Sequence, residues 1–208
     1  HFEVLQKPNR FLSSARLDTL GDDRSVLGMG LNVDVRLGET GIAPREGFFA
    51  GLSAWNYPFP FERRKPFQRY TADLRGYASA GLATLALRAA AEKVVGHFPF
   101  YEAAFLGGAN SLRGYNLNRF SGDASLLGTA ELRLALFKLK LLIETHVGVF
   151  VFGDAGKVFL DGKAPSGWHA DAGGGISLAP AAREMTFSVS IATSPEGLFV
   201  NGGLGFSF

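Results

Sequence analysis

One short stretch draws attention to charge. Residues 107–115 read GGANSLRGY and carry a single ionic side chain, Arg113, between Leu112 and Gly114. A guanidinium is a planar fork of donors that fits a carboxylate through two parallel bonds. On an open turn it needs only water, and a glycine-rich turn is the plainer reading. Enclosed, it needs carboxylate partners. Two candidates follow along the chain. Glu131 and Asp154 lie in runs of alternating apolar and polar residues, each on the polar side.

Other residues with reactive side chains offer less. His146 and His169 share polar faces with Glu144 and Asp171, a set open to a metal ion but better read as solvated. Ser53, Ser111, Ser121 and Ser125 lack the strand-to-helix turn of a nucleophile elbow. Gly173, Gly174 and Gly175 sit inside an alternating run with no helix after it, which is no phosphate loop. Arg63, Arg64 and Lys65 form a basic loop, either solvated or in contact with anionic phosphate groups. There are no cysteines, so disulfides and thiolate metal sites are excluded. No catalytic residue, metal or cofactor is assigned, and an enzyme is not expected.

The elements that would position these residues read as strands. Hydrophobic residues make up 47% of the 208 positions and charged ones only 19%, yet no apolar run is long enough for a membrane helix. The 27 glycines and 19 phenylalanines disfavour a helical bundle. A net charge of +2 gives no case for nucleic acid. The clearest alternation is residues 27–37, where Leu27, Met29, Leu31, Val33, Val35 and Leu37 face Gly28, Gly30, Asn32, Asp34 and Arg36. Further strands are expected at 11–20, where Arg16 and Asp18 share a face, at 47–57, rich in aromatic and small residues, and at the runs 69–79, 83–94, 126–137, 141–159, 168–178, 185–193 and 198–208. The run 83–94 also has helical propensity. That makes about ten strands, most of roughly 9–13 residues, the length of a tilted membrane-spanning strand. Residues 96–122 read as a long irregular loop, of a kind that is usually functional. A soluble sandwich would use shorter strands and hide the apolar face. The expected fold is all-β: a transmembrane antiparallel up-and-down barrel over residues 1–208, with charges lining a wet lumen. Closure would satisfy every backbone group within lipid. His1 is no initiator methionine and no signal segment follows it, so the chain is expected to be processed or cut from something longer.

The segments GGANSLRGY, GTAELRLAL, FVFGDAGKVF and GLGFSF, in that order, resemble the carboxy-terminal half of the BamA-type outer-membrane assembly and translocation superfamily. DTLGDD and GIAPREGFF are weaker matches, and the resemblance spans residues 17–208. It implies that the loop folds back into the barrel. Leu112, Arg113, Gly114 and Tyr115 would fill the loop motif. Glu131 matches the acidic position of the next strand, and Phe152, Asp154 and Gly156 match the strand motif after it. Arg113 would be latched by Glu131 and Asp154. Phe206 and Phe208 look like the terminal recognition signal of outer-membrane proteins.

The same resemblance implies a Gram-negative outer-membrane location and assistance to other proteins in insertion or translocation. A weak seam rich in glycine, at Gly202, Gly203 and Gly205, would offer an edge to a client strand. Partners would be outer-membrane lipid, lipopolysaccharide, a client β-barrel or secreted protein, and the assembly machinery for its own insertion. Family members usually have sixteen strands, so these ten are either the last part of a larger barrel or a small one. Alternatives are a membrane anchor or passive pore for an attached enzyme, or a small structural barrel.

Overall fold

The computed structural model of the protein describes residues 28–39, 43–58, 66–140, 144–161, 167–180 and 186–208. The expected strand at 11–20 and the basic loop at Arg63, Arg64 and Lys65 lie outside them. So does DTLGDD.

Among the described residues, nine strands form one antiparallel sheet in chain order. They are β1 (Met29–Gly38), β2 (Gly47–Tyr57), β3 (Phe67–Ala80), β4 (Ala83–Gly96), β7 (Ala124–Lys140), β8 (Glu144–Phe159), β9 (His169–Pro180), β10 (Phe187–Ser194) and β11 (Gly197–Leu204). Each overlaps one expected run. The segment 83–94 is a strand, because β3 on one side and β7 on the other take up its backbone groups along its length. Burial of paired backbone outweighs its local helical propensity. β7, at 17 residues, outruns the expected 126–137, while β8, at 16, lies within the long run expected at 141–159. A bulge between Ala135 and Phe137 interrupts their register.

The link from β4 to β7 departs from the expectation of an irregular loop. It holds a 3-10 turn (Phe100–Glu102) and a two-stranded ribbon of β5 (Ala104–Leu106) and β6 (Phe120–Gly122). These short strands use the backbone groups that a long enclosed loop would otherwise leave unpaired.

The pleat sorts the side chains. Val33, Leu52, Leu74, Leu87, Leu132, Val151, Ile176, Val189 and Val200 lie on the outer surface and are all exposed. The opposite face carries Asp73, Arg75, Arg88, Thr129, Glu131, Arg133, Asp154 and Asp171. This inner face holds ion pairs throughout: Asp73 binds both Arg75 and Arg88, at 2.6 and 2.9 Å.

The sheet curls. Strands lie about 4.8 Å apart, so a flat sheet would put β3 and β11 about 29 Å apart. Yet Phe208, just beyond β11, lies 6.2 Å from the Tyr77 ring of β3. The inner face is therefore concave. Among the described residues, β1 and β11 are the free edges and do not pair with each other, so the expected closed barrel is not seen.

The end of the chain differs from expectation. β11 stops at Leu204. Gly205, at φ 81°, turns residues 205–208 onto the concave side. Phe206 and Phe208 therefore do not continue the outward row of Leu198, Val200 and Leu204. They pack inside, Phe208 buried at 9% exposure and Phe206 edge-on to Phe150.

Candidate functional site

The β5–β6 ribbon leads the chain into and out of residues 107–119, which lie against the concave face. The loop is braced internally. The Gly107 N–H donates to Ser111 Oγ at 2.8 Å, and the Gly108 N–H is shared between the carbonyls of Leu112 and Tyr115, both at 3.1 Å. Leu112 is fully buried and packs with Leu106, Tyr115, Leu127 and Val158. Gly156 of β8 makes room for this cluster, since a Cβ there would lie 2.8 Å from Leu106 Cδ1 and 3.4 Å from Leu112 Cδ1.

With Leu112 anchored, Arg113 points into the wall and is 2% exposed. Its Nε and Nη2 donate to the two carboxylate oxygens of Asp154, at 2.8 and 3.0 Å. Its Nη1 donates to Glu131 Oε2 at 2.6 Å. The guanidinium lies 3.3 Å from the centre of the Phe152 ring, so the aromatic face adds its own attraction to the cation. Burial opposes the charge, but the bonds to Asp154 and Glu131 outweigh it and hold the Arg113 pKa above the ordinary arginine value. Alternation explains how two strands deliver these groups: Glu131 lies directly across the ladder from Phe152, and Asp154 is two residues further along the same face.

Gly114 sits where the loop backbone crosses β9 and β10. A Cβ there would fall 2.6 Å from Asp171 Cβ and 3.0 Å from Ser194 Cβ, so a larger residue would push the loop off the wall. Its carbonyl accepts from Ser194 Oγ at 2.5 Å. The Tyr115 hydroxyl donates to the carbonyl of Ala170 at 3.2 Å. The motif residues Leu112, Arg113, Gly114, Tyr115, Glu131, Phe152, Asp154 and Gly156 thus meet in one place.

Several contacting residues were not singled out from sequence. Asn201 Nδ2 of β11 donates to the Arg113 carbonyl at 3.0 Å. Arg119 grips Glu196, in the turn between β10 and β11, at 2.8–2.9 Å. The Glu196 hydrogen bond raises the Arg119 pKa above its ordinary value. Arg88 Nη1 donates to the Asn110 carbonyl at 2.9 Å. Arg133 binds the free oxygen of Glu131, Oε1, at 2.7 Å. Only Arg133 carried a readable signal, standing two residues from Glu131 on one strand face. The others depend on where the loop lands.

His169 stacks flat against Phe120 at 3.7 Å between ring centres. Among the described residues, no three His, Asp or Glu side chains are grouped to hold a metal ion. The concave face offers immobilisation of a loop by buried charge.

Fold and site together define an antiparallel sheet with an apolar outer face and a loop fastened ionically to its inner face. The chain matches the family model described as the Omp85 superfamily domain over residues 6–197, and it belongs to that superfamily. Family members are outer-membrane proteins, which implies a membrane location. Comparison with curated proteins finds no match.

Proposed function

We propose that the chain forms the wall of a transmembrane barrel in the outer membrane of a Gram-negative bacterium, and that it helps other β-rich proteins to insert or cross. The observation that carries this reading is the two-sidedness of the sheet. Large apolar residues are exposed on the outer face of all nine strands, while the inner face is ionic and filled by a latched loop. Water penalises such an outer face and lipid does not. The nine strands form part of a larger closed wall, of sixteen strands in the fullest form, because an open edge in lipid leaves backbone groups unsatisfied.

The working surface in this reading is the edge. β11 carries Gly202 and Gly203 and weakens its own pairing, so that an incoming strand can add to it by main-chain hydrogen bonds. No chemistry on the client is required, and no catalytic role is assigned. The loop fastens the wall while the edge opens. Outer-membrane lipid and lipopolysaccharide contact the outer surface and its rims, and assembly machinery inserts the chain itself.

A passive pore fits less well, because the loop and residues 205–208 fill the concave side from opposite ends. The test is reconstitution into liposomes with an unfolded β-barrel client, alongside conductance in planar bilayers. The reading expects client insertion faster than in empty liposomes, slower with Arg113→Ala, and low conductance. Insertion at the empty-liposome rate, or a steadily open pore, overturns it.

A further inference from the structure

Glu131 is shared. One oxygen receives Arg113 from the loop, and the other receives Arg133 from its own strand, at 2.6 and 2.7 Å. Arg133 is 7% exposed and turns its remaining surface to the end of the chain. Its Nη2 donates to the main-chain oxygen of Phe208 at 3.2 Å. Its guanidinium carbon lies 3.8 Å from the centre of the Phe206 ring. Tyr77 and Phe208 complete the surround, each 5.7 Å from that carbon.

A second path joins the same ends through rings. Arg113 lies on Phe152, Phe152 stacks beside Phe150 at 6.1 Å, and Phe150 meets Phe206 edge-on at 5.3 Å. Loop and tail also touch directly, where Ser207 Oγ donates to the Ala109 carbonyl at 3.0 Å. The tail is also tied to its own hairpin. The Gly205 N–H reaches the Thr186 carbonyl, and Ser188 Oγ reaches the Gly205 carbonyl, both at 2.5 Å. Beyond Gly205, the tail meets the loop, β3, β7 and β8, and Phe206 packs against the cluster of Phe150, Phe152 and Ala192.

We propose that Arg133 is a relay that couples the seating of residues 205–208 to the docking of the loop, through the shared carboxylate of Glu131. When Arg113 is in place, it neutralises Glu131 on one side and holds the carboxylate where Arg133 can take the other oxygen. Arg133 is then fixed, with its face presented to Phe206 and a donor to Phe208. When the loop leaves, two buried carboxylates lose a cation. Arg133 is the nearest replacement, and turning toward them withdraws it from the tail. Loop and tail therefore undock together, and the chain beyond β11 is free only when the loop is. Buried charge pairs leave no cheap intermediate state. This coupling does not depend on the proposed insertion activity.

The chain has no cysteine, so a single introduced thiol reports on one place. Ser207→Cys, nearly isosteric, reports on the tail, and Ala109→Cys on the loop. The full chain is folded in detergent micelles, checked by circular dichroism, and labelled with a water-soluble maleimide. In the Ser207→Cys background, Arg113→Ala and the near-isosteric Glu131→Gln are each expected to raise the labelling rate about tenfold, equivalent to about 1.4 kcal/mol of coupling. In the Ala109→Cys background, Arg133→Met is expected to expose the loop reporter similarly. Combining Arg113→Ala with Arg133→Met should add little to either alone. Glu196→Gln, which loosens the loop without touching Glu131, should leave tail labelling within about twofold. Unchanged tail labelling in both Arg113→Ala and Glu131→Gln overturns the relay. So does a Glu196→Gln effect as large as theirs, or strict additivity in the double variant.

Discussion

Arg113 makes three side-chain hydrogen bonds to two carboxylates and rests on an aromatic ring, all inside the wall. Removing it leaves Asp154 without its cation and Glu131 with Arg133 alone. Arg113→Ala is expected to destabilise the folded chain by about 3–5 kcal/mol, less where water enters the concave side, as read by the urea unfolding midpoint. Arg113→Lys keeps the charge but not the fork, and should recover only part of that loss. Gly114 is a steric requirement. Gly114→Ala places a methyl carbon 2.6 Å from Asp171 Cβ, and a cost of about 1–3 kcal/mol follows. Protease cleavage within residues 107–119 of the folded protein should rise accordingly. A Gly114→Ala chain as resistant as the parent would show that the loop accommodates the methyl group without leaving the wall. At this scale the sequence was informative. Period-two alternation set Glu131 and Asp154 on polar faces, and the family resemblance implied that they would latch Arg113. Which oxygen each donor meets was not legible, because it depends on the ladder register between β7 and β8.

At the scale of elements, the link between β4 and β7 is built as a ribbon with a docked tip. Two kinds of fastening hold that tip. Leu112 supplies apolar burial, and Leu112→Ala should cost about 2–5 kcal/mol in the same unfolding measurement. Arg119 and Glu196 form a half-exposed pair, 40% and 31% exposed, worth about 0–1 kcal/mol. Glu196→Gln should leave global stability nearly unchanged. It should still speed hydrogen exchange at residues 116–119, and high salt should mimic it. β2 was read from its aromatic and small residues, and 83–94 also carried helical propensity; most of the strands were readable from alternation. The ribbon was not, since three residues per strand are too few for a periodic pattern and their pairing spans residues 104–122.

At the scale of the molecule, outward side chains such as Val151, 57% exposed, separate a membrane wall from a water-soluble sheet. Val151→Arg should cost about 2–4 kcal/mol when folding is measured into lipid bilayers. It should be close to neutral if the outer face meets only water. An unchanged folding free energy in bilayers would remove the membrane reading while leaving the fold intact.

Local chemistry settled much of this protein in advance. A repeat of two residues has only one periodic solution, so strand identity, the two faces and the side on which each carboxylate stands followed from the sequence alone. Arg113 taken alone read as a solvated turn residue, and only the family resemblance implied its enclosure. What only the tertiary structure decided depends on curvature. Curling brings β3, β7, β8 and β11 to a common interior, and no local pattern encodes that meeting. The grips of Asn201, Ser194 and Glu196 on the loop arise there. So does the inward turn at Gly205, which takes Phe206 and Phe208 off the outer row. Arg133 is the plainest case: its neighbour Glu131 was visible two residues away, while its contacts with Phe206 and Phe208 join positions more than seventy residues distant through a folded surface.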